Sequence, residues 1–357
     1  MKRSKSIKNC SFFTLLFFLF AACNAHESAQ TTENNNFDST AGEVVSTLGA
    51  SIFIIFQDRQ NTYWFGSNDN GVYRYDGNII KHYSTNHGLL SNQIREIQED
   101  KFGNIYFTTL NGINRFDGEN ITDLPHAKTT AWKLTADDIW FTAPGKNGPY
   151  RFDGDSLYDL KFPKHSMHDQ FYAKYPNVAY SPYELYSTYR DDSGNIWFGT
   201  SNFGICRYNG NSLDWLYEEH LTTIKKTGGS FGIRAMIEDK SGHFWFCNTR
   251  YRYTINATSK ASNKISYKRL PGIADLSAPD NENFIYFMSA TKDDQGNLWM
   301  ATYDQGVWQY DGITCIHHPI GTTVYSIYND RVGNLWLGTH EEGAYKYNGE
   351  VFEKFNP

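Results

Sequence analysis

The sequence has few cysteines, few charged residues and no excess of positive charge. Its 5 cysteines include no C-x-x-C pair, which argues against a disulfide framework or a zinc site, and we predict no metal and no cofactor. Lys and Arg number 33 against 39 Asp and Glu, which argues against a nucleic-acid-binding protein with a basic surface. A hydrophobic content of 40% excludes a multi-span membrane protein.

Aromatic residues are abundant by contrast, at 17% of the 357 residues. This content excludes a disordered chain and a collagen-like chain, and it is typical of many short β-strands with aromatic side chains. The length alone favours two or three domains, but a closed β architecture of more than about 200 residues can form a single unit.

Residues 1–22 have the layout of a secretory signal peptide. Basic residues precede the apolar run 12–20, and two alanines then lead to Cys23. A cysteine in this position resembles the lipobox of bacterial lipoproteins, in which that cysteine receives a diacylglyceryl group. The resemblance implies a signal peptide over 1–22, lipidation of Cys23 and a body held at a membrane surface. An ordinary signal peptide that is cut elsewhere is the alternative.

The segment after Cys23 is polar and shows no apolar period, so we predict a flexible tether over 23–49. Glu27 is an acidic residue close to Cys23, which gives weak support for the surface-export signal known from Bacteroidetes lipoproteins. The predicted location is the cell envelope, with the body in the periplasm or at the cell surface.

One short motif recurs along the rest of the chain and decides the fold prediction. Each copy is an apolar and aromatic pentapeptide, such as IWFGT at 196–200. Seven copies in the 308 residues from 50 to 357 give an average period of 44 residues, which is typical of four-stranded propeller blades. The key aromatic residues of these anchor motifs are Trp64, Tyr106, Trp140, Trp197, Trp245, Trp299 and Trp336.

Turn signals divide each copy into short strands. D-x-x-G precedes most anchor motifs, as at 191–194, and predicts a hairpin in which the Asp caps backbone amides and the Gly adopts a positive φ. A second constant segment, such as GICRYNG at 204–210, ends in the Asn-Gly or Asp-Gly of another hairpin. The third copy lacks the first Gly, and the fifth lacks the second hairpin signal. We predict an all-β fold, a seven-bladed β-propeller of four-stranded antiparallel blades over 50–357.

The two constant segments together resemble the two-component regulator propeller repeat. The match is fullest at 191–200 and 330–339, and the segment 86–100 resembles the link between successive repeats of that family. The resemblance covers about residues 50–357 and implies an extracytoplasmic sensor part like those of hybrid histidine kinases, which often recognise glycans. The sequence contains no kinase, receiver or DNA-binding segment, so the resemblance implies the sensing or binding part of such a system.

The links between the second and third strands are the predicted ligand-binding region. In other propellers these links open on one face together with the links between blades, and their amides, charges and rings suit a glycan or another polar ligand. The alternative is that most of these residues are turn formers and solvated charges. The predicted ligand-binding residues are Asp69, Asn111, Lys146, Asn202, Phe203, Arg250, Arg252, Tyr303, Asp304, His340 and Glu341.

The longest link, 162–183, contains His165, His168, Asp169 and several aromatic residues. A loop of this length in a compact domain is usually functional or disordered. A lid over the ligand-binding face is the favoured interpretation, and a metal site at the H-x-x-H sequence is the alternative.

Two enzymatic alternatives have partial support in the sequence. D-x-G-x-x-W at 192–197 and 294–299 partly resembles the sialidase Asp-box, but a sialidase would also need an arginine cluster and a tyrosine nucleophile. A streptogramin-lyase-like activity would need a general-base His and a divalent cation. The sequence singles out neither set, so we predict no catalytic residue.

These observations predict a lipid-anchored, extracytoplasmic, sensor-like propeller without catalytic activity. Its predicted partners are the membrane, through the lipid, a glycan or other polar ligand, and an envelope or signalling protein, but no nucleic acid. The alternatives are a propeller enzyme, either a glycan hydrolase or a lyase, and a scaffold of an envelope protein complex.

Overall fold

The computed structural model describes residues 42–222, 231–256, 264–273 and 285–357. The predicted signal peptide, the lipidated Cys23 and most of the predicted tether therefore lie outside the described residues.

Seven antiparallel sheets follow one another along the chain, one for each copy of the repeated motif. In every sheet except the first, the strands lie side by side in chain order, so each pair of neighbours is a hairpin. In most blades the innermost strand contacts the innermost strand of the next blade around a common axis, and the first blade contacts the last. The fold is the predicted all-β, seven-bladed β-propeller.

Most blades have the predicted four strands, while blade one has five and blade three has three. Among the described residues, short helices occur in three links, a 3-10 helix (Thr85–His87), α1 (His168–Lys174) and α2 (Glu219–Thr222). The strands of blades one to three are β1 (Glu43–Val45), β2 (Ile52–Gln57), β3 (Tyr63–Ser67), β4 (Val72–Tyr75) and β5 (Ile80–Tyr83), then β6 (Ile94–Glu99), β7 (Ile105–Thr109), β8 (Gly112–Phe116) and β9 (Ile121–Asp123), then β10 (Ile139–Phe141), β11 (Tyr150–Phe152) and β12 (Leu157–Asp159). Those of blades four to seven are β13 (Leu185–Arg190), β14 (Ile196–Thr200), β15 (Ile205–Tyr208) and β16 (Leu213–Leu216), then β17 (Met236–Glu238), β18 (Phe244–Phe246), β19 (Tyr251–Ile255) and β20 (Tyr267–Pro271), then β21 (Phe287–Lys292), β22 (Leu298–Thr302), β23 (Val307–Tyr310) and β24 (Cys315–His318), then β25 (Val324–Asn329), β26 (Leu335–Thr339), β27 (Ala344–Tyr347) and β28 (Phe352–Lys354).

The anchor motif forms the second strand of each blade and lies in the core. In blade four, β14 is buried along its whole length. One carboxylate oxygen of Asp191 accepts the backbone N–H groups of Ser193 and Asn195, and the other accepts the indole N–H of Trp197 at 2.7 Å. An equivalent bond joins the turn Asp to the anchor ring in six blades. The Asp therefore caps the turn, as predicted, and also fixes the large core ring.

Glu43–Val45, which the sequence analysis assigned to the flexible tether 23–49, form a fifth strand at the outer edge of blade one. This strand pairs with β5 in antiparallel register. Val45 and Leu48 pack against the core of the blade, and this apolar contact holds the segment on the propeller. The described end of the predicted tether is thus part of the propeller.

Blade three differs from the other blades at its inner edge. Within 42–222, which the structure describes without a gap, no strand precedes β10 in this blade. The chain before β10 turns away instead, because Trp132 packs against Trp140 and Tyr208 and its indole N–H donates to the Lys161 carbonyl at 3.2 Å. The loss of the turn Gly in this copy coincides with the loss of the strand.

Side chains from the two neighbouring blades replace the missing strand. The Gln98 side chain of blade two donates to the Trp140 carbonyl at 2.7 Å. The Glu96 carboxylate accepts the Thr142 backbone N–H at 3.1 Å. Arg190 of blade four donates to the Asp138 carbonyl at 3.0 Å. The exposed edge of β10 therefore has hydrogen-bond partners without a strand beside it.

Blades seven and one close the ring through side chains rather than through a shared strand. The Tyr63 hydroxyl of blade one donates to the Asp330 carboxylate of blade seven at 2.7 Å. Phe355 packs against Trp336 and Phe65, with ring centroids 4.9 Å and 5.9 Å away. This seam depends on aromatic packing.

Candidate functional site

A cavity of about 400 Å³ lies on the axis of the propeller, where all seven blades meet. We call it the axial cavity. The first strands contribute most of its walls, and Leu110, Pro144 and Glu184 come from links on the face predicted to bind ligand. Its other lining residues are Phe53, Ile54, Arg95, Glu96, Thr142, Leu185, Tyr186, Ser187, Thr188, Arg234, Met288, Ser289, Tyr325 and Ser326.

Irregularities in the first strands position the side chains of the axial cavity. In five blades the register of the first strand shifts directly after its first residue. Such a shift re-aims one side chain relative to the regular alternation of a strand. The residues at the shifts all line the axial cavity, and they are Phe53, Arg95, Tyr186, Met288 and Tyr325.

Arg95 is held in place by three neighbours. Its guanidinium donates to the Asn68 side-chain oxygen and to the Gln93 side-chain oxygen, each at 2.8 Å. It also lies 4.8 Å from the centre of the Phe53 ring, a distance typical of cation–π contacts. Tyr325 packs on the same ring, with a centroid distance of 5.2 Å. The Arg95 side chain is thus fixed by amides and rings, not by a carboxylate.

Arg234 lines the same cavity from blade five. Its guanidinium lies 4.3 Å from the centre of the Tyr186 ring, and its Nε is buried without a hydrogen-bond partner. Among the residues that the structure describes, neither Arg95 nor Arg234 forms an ion pair. Burial lowers the pKa of Arg95, and the positive charge of Arg234 lowers it further. The axial cavity therefore holds two cations that repel each other.

Glu96 lies between the axial cavity and blade three. Its side chain is half-buried. Its carboxylate accepts hydrogen bonds from the Thr142 backbone and from the hydroxyls of Thr108, Thr142 and Thr188. The Gln98 amide donates to it at 2.7 Å. Burial among these groups raises the pKa of Glu96 despite the hydrogen bonds. Both carboxylate oxygens are therefore engaged within the protein.

A second pocket of about 270 Å³ lies beside α1 on blade four. We call it the aromatic pocket. Phe171, Tyr175, Tyr180 and Tyr217 line it together with Gln170, and the predicted residues Asn202 and Phe203 belong to it as well. Phe203 is only 1% exposed, so it forms the base of the pocket rather than an open surface for stacking.

The long link 162–183, predicted as a lid over the ligand-binding face, packs on blade four beside Asn202 and Phe203 of that face. His165 is buried against Phe203, with a centroid distance of 4.6 Å, and its Nδ1 accepts the Met167 backbone N–H at 3.1 Å. The Nδ1 of His168 lies 3.0 Å from the Tyr183 hydroxyl. Both histidines are thus engaged in local contacts, and no group of three or more potential metal ligands occurs within the described ranges.

Three of the predicted residues come together between blades seven and one. Asp69, His340 and Glu341 line one open depression on the same face as the axial cavity. His340 Nδ1 lies 3.3 Å from the Glu341 carboxylate. The Asp69 carboxylate accepts the Ser67 hydroxyl at 2.8 Å, which is a local turn contact.

Four further predicted residues lie in the links of blades two, three and six. Asn111 donates to the Leu90 carbonyl at 3.0 Å, and Lys146 pairs with Asp159 at 3.2 Å. These two side chains stabilise links. Exposed side chains in the link of blade six include Tyr303 and Asp304.

Arg250 and Arg252 were both predicted to lie in the link between the second and third strands of blade five. The structure places them in different elements. The third strand of blade five begins at Tyr251, so Arg252 lies within the sheet. Tyr253 pairs with Phe244, and continuing this antiparallel register places Arg252 opposite Trp245. Arg74 and Arg207 lie over the anchor rings of their own blades. Arg252 therefore occupies a repeated structural position, and Arg250 alone remains in the link.

A larger cavity of about 690 Å³ lies beside β10 of blade three, on the side of the propeller opposite to the axial cavity. Several of its charged groups form ion pairs. Lys101 pairs with Asp137 at 2.7 Å, and Asp138 pairs with Arg151 at 2.9 Å. The residues that line this cavity come from blades one to four, whereas all seven blades line the axial cavity.

The residues that line the axial cavity were not among the predicted ligand-binding residues. Arg95 and Arg234 do not belong to the repeated motifs, and each occurs in a different blade. No local signal marked them, because β6 (IREIQE) contains several charged residues and Arg234 precedes β17. The predicted ligand-binding residues lie in the links instead, where the analogy with other propellers placed the ligand.

No helix in the described part of the chain has the length and hydropathy that a membrane crossing requires.

Residues 180–202 and 319–341 match the family model of the two component regulator propeller. The two segments cover equivalent parts of blades four and seven, from the preceding link through the first strand and turn to the anchor strand. Two segments of the chain therefore match this repeat, in agreement with the resemblance described from the sequence. None of the curated proteins matches the chain.

Solved structures with a similar fold come from proteins of different kinds. An extracellular domain described as part of a hybrid two component system of B. thetaiotaomicron has a TM-score of 0.58 and 20% identity, and the match covers 86% of this chain and 40% of that chain. Virginiamycin B lyase from Staphylococcus aureus has a TM-score of 0.59 and 14% identity, covering 85% of this chain and 97% of the lyase. PorZ, a surface component of the type IX secretion system of Porphyromonas gingivalis, has a TM-score of 0.52 and 14% identity, covering 83% of this chain and 46% of PorZ. At these identities the likeness establishes the fold alone.

Proposed function

We propose that this protein is an extracytoplasmic, sensor-like propeller that binds a glycan or another polar ligand in the axial cavity and has no catalytic activity of its own. The observation that carries the proposal is the convergence of all seven blades on one cavity that contains rings, hydroxyls and unpaired cations. Its volume of about 400 Å³ is in the usual range of small-ligand sites. The repeats of the two component regulator propeller family support the sensor role.

The composition of the axial cavity favours binding over catalysis. Its lining includes neither His nor Cys, the residues that most often act as general base or nucleophile at neutral pH. Both oxygens of Glu96 accept hydrogen bonds from the protein, so this carboxylate is poorly placed to take a proton from a substrate. The similarity to a lyase in fold alone is the reason to test turnover directly.

The aromatic pocket on blade four extends the proposed binding surface. Its rings and the amides of Gln170 and Asn202 are groups that suit the faces and hydroxyls of sugars. Asp69, His340 and Glu341 would contribute to the same face from blades seven and one. A ligand with several sugar units would be able to contact more than one of these regions.

We further propose that Cys23 is lipidated and holds the propeller at a membrane of the cell envelope. The support is the sequence of residues 1–23. Metabolic labelling with a fatty acid should mark the wild-type protein, and the Cys23→Ser variant should remain unlabelled. Labelling of both proteins would contradict the proposal.

A thermal-shift screen of the full chain in detergent tests the proposed function. The screen uses neutral and acidic oligosaccharides, divalent cations and small metabolites, and each mixture is analysed afterwards for products. A ligand at 100 times its Kd should stabilise the folded state by about 2.7 kcal/mol. A shift with the ligand intact supports the sensor role, whereas conversion of the ligand supports an enzyme. Co-purification of an envelope protein without any shift supports a scaffold.

A further inference from the structure

We propose that the ligand of the axial cavity carries an anionic group, a carboxylate or a sulfate, which Arg95 and Arg234 bind together. This inference rests on the proposed function, because it specifies the chemical class of the ligand that the same cavity receives.

The first argument is the charge of the axial cavity. Arg95 and Arg234 both line it, and neither has a carboxylate partner within the described ranges. Two like charges in a partly buried space repel each other and are poorly solvated. An anion between them would relieve both effects. The folded protein thus keeps a charge arrangement that favours the bound state.

The second argument is that the acidic residues of the cavity are already engaged. The Glu184 carboxylate accepts the Gly145 backbone N–H at 3.0 Å. The Glu96 carboxylate accepts hydrogen bonds from the groups around β10, and burial disfavours its charged form. Neither carboxylate lies within ion-pair distance of the two arginines, so neither occupies the position that an anionic ligand would take.

The third argument is that both guanidinium groups are positioned in advance. Two amide oxygens and the Phe53 ring hold Arg95, and the Tyr186 ring lies under Arg234. A guanidinium has five N–H donors, and these contacts leave donors free on both groups. Binding would therefore require little further ordering of the side chains, which favours affinity.

The rings of the cavity indicate how the rest of the ligand would be held. Phe53, Tyr186 and Tyr325 surround the two arginines. Flat apolar faces beside paired cations suit an acidic sugar, whose ring stacks while its carboxylate or sulfate binds the guanidinium groups. A small free anion would use the cations without the rings, and the two sources can be told apart by experiment.

The test measures binding to the full chain in detergent by isothermal titration. The probes are sodium sulfate, an oligomer of galacturonic acid and a neutral oligomer of galactose of the same length. We expect the acidic oligomer to bind more tightly than the neutral one and its affinity to fall with added NaCl. Binding of sulfate as tight as that of the acidic oligomer would identify a small free anion as the source.

Variants locate the site. Arg95→Gln and Arg234→Gln should each weaken binding of the acidic probes by about tenfold or more. Arg95→Lys should retain part of the affinity, because it keeps the charge but loses the planar fork. Lys268→Gln removes the same charge from an exposed position on β20 and should leave the affinity unchanged.

The outcomes separate this inference from the proposed function. If only the neutral oligomer binds, or if the arginine variants bind acidic probes as well as the wild type, the anion proposal is wrong and the binding function stands. If neither acidic nor neutral probes bind, both are wrong. Melting temperatures of the variants without ligand show whether they fold, and we expect Arg234→Gln to melt no lower than the wild type, because it removes a repulsion.

Discussion

The Glu96 carboxylate of blade two accepts the backbone N–H of Thr142 in blade three, with a nitrogen–oxygen distance of 3.1 Å. In a regular blade, a backbone carbonyl of the first strand would take this position. One acidic side chain therefore replaces part of a β-strand, and we expect its protonation to affect the stability of the protein.

The pH dependence of stability should change when Glu96 is replaced. Burial raises the pKa of Glu96 above its ordinary value of 4.5, so the folded protein holds a proton that the unfolded chain has already lost. Stability therefore falls as the pH rises from about 4.5 through the higher pKa of the folded state. Glu96→Gln removes this loss, and its melting temperature relative to the wild type should increase with pH.

Melting curves at several pH values between 4.5 and 8 check this prediction. Glu119→Gln is the matched control, because Glu119 is exposed in the turn between β8 and β9. A difference between Glu96→Gln and the wild type that stays constant with pH would contradict the proposed protonation.

The turn carboxylate Asp191 of blade four should contribute more to the free energy of unfolding than the adjacent Asp192. In Asp191→Asn an amide group would face the Trp197 indole and the Asn195 side chain, both of which donate to Asp191 Oδ2. We expect a loss of about 1 to 3 kcal/mol in the free energy of unfolding. Asp192→Asn removes the same charge at an exposed position, and urea unfolding should show almost no effect of that change. Equal losses in the two variants would show that charge, rather than the turn, is responsible.

Phe355 should contribute measurably to closing the ring. Its ring packs on Trp336, Phe65 and Tyr75 at the seam between blades seven and one. Because Phe355 is only partly buried, we expect Phe355→Ala to reduce the free energy of unfolding by about 1 to 3 kcal/mol. Val351→Ala, at a side chain that is 55% exposed, is the control. Urea unfolding followed by tryptophan fluorescence measures both variants, and an unaffected midpoint for Phe355→Ala would mean that the seam closes without it.

His165 should make the protein less stable in mildly acidic solution. Burial lowers the pKa of His165 from 6.5 to about 4, so the unfolded chain gains a proton below pH 6.5 while the folded protein does not. Stability is therefore lost as the pH falls from about 6.5 to about 4, by up to about 3 kcal/mol.

Urea unfolding at pH 7 and pH 5 checks this prediction. His165→Gln should lose less stability between the two pH values than the wild type, because Gln has no proton to gain. His126→Gln, at an exposed position, should behave like the wild type. If His165→Gln loses as much stability in acid as the wild type does, another group causes the acid sensitivity.

The sequence predicted the blades well because the signals that form them are local and repeated. In six blades the anchor ring and its turn Asp lie six residues apart, as Asp191 and Trp197 do, so a short motif contains both partners. The strand missing from blade three was not predicted, since the anchor motif at Trp140 is intact there. Its loss depends on Trp132 packing between blades three and four, a contact that no repeat encodes.

The site was harder to predict because it forms only when the ring closes. Arg95 and Arg234 are 139 residues apart in the sequence, and nothing local connects them. Arg252 was assigned to a link because blade five lacks the Asp-Gly signal that marks the end of the third strand elsewhere. The predicted pair Asn202 and Phe203 does line a pocket, but its walls come from α1 and the long link 162–183.

The residues at the register shifts of the first strands have a different role from the residues of the repeated motifs. The anchor motifs and turn carboxylates specify the blades, whereas Phe53, Arg95, Tyr186, Met288 and Tyr325 take part in neither. Each blade with a shift thus contributes to the axial cavity one side chain that lies outside the repeated motifs. A few substitutions at such positions can give a propeller of this design a new ligand specificity, while the strands and turns of its blades stay the same.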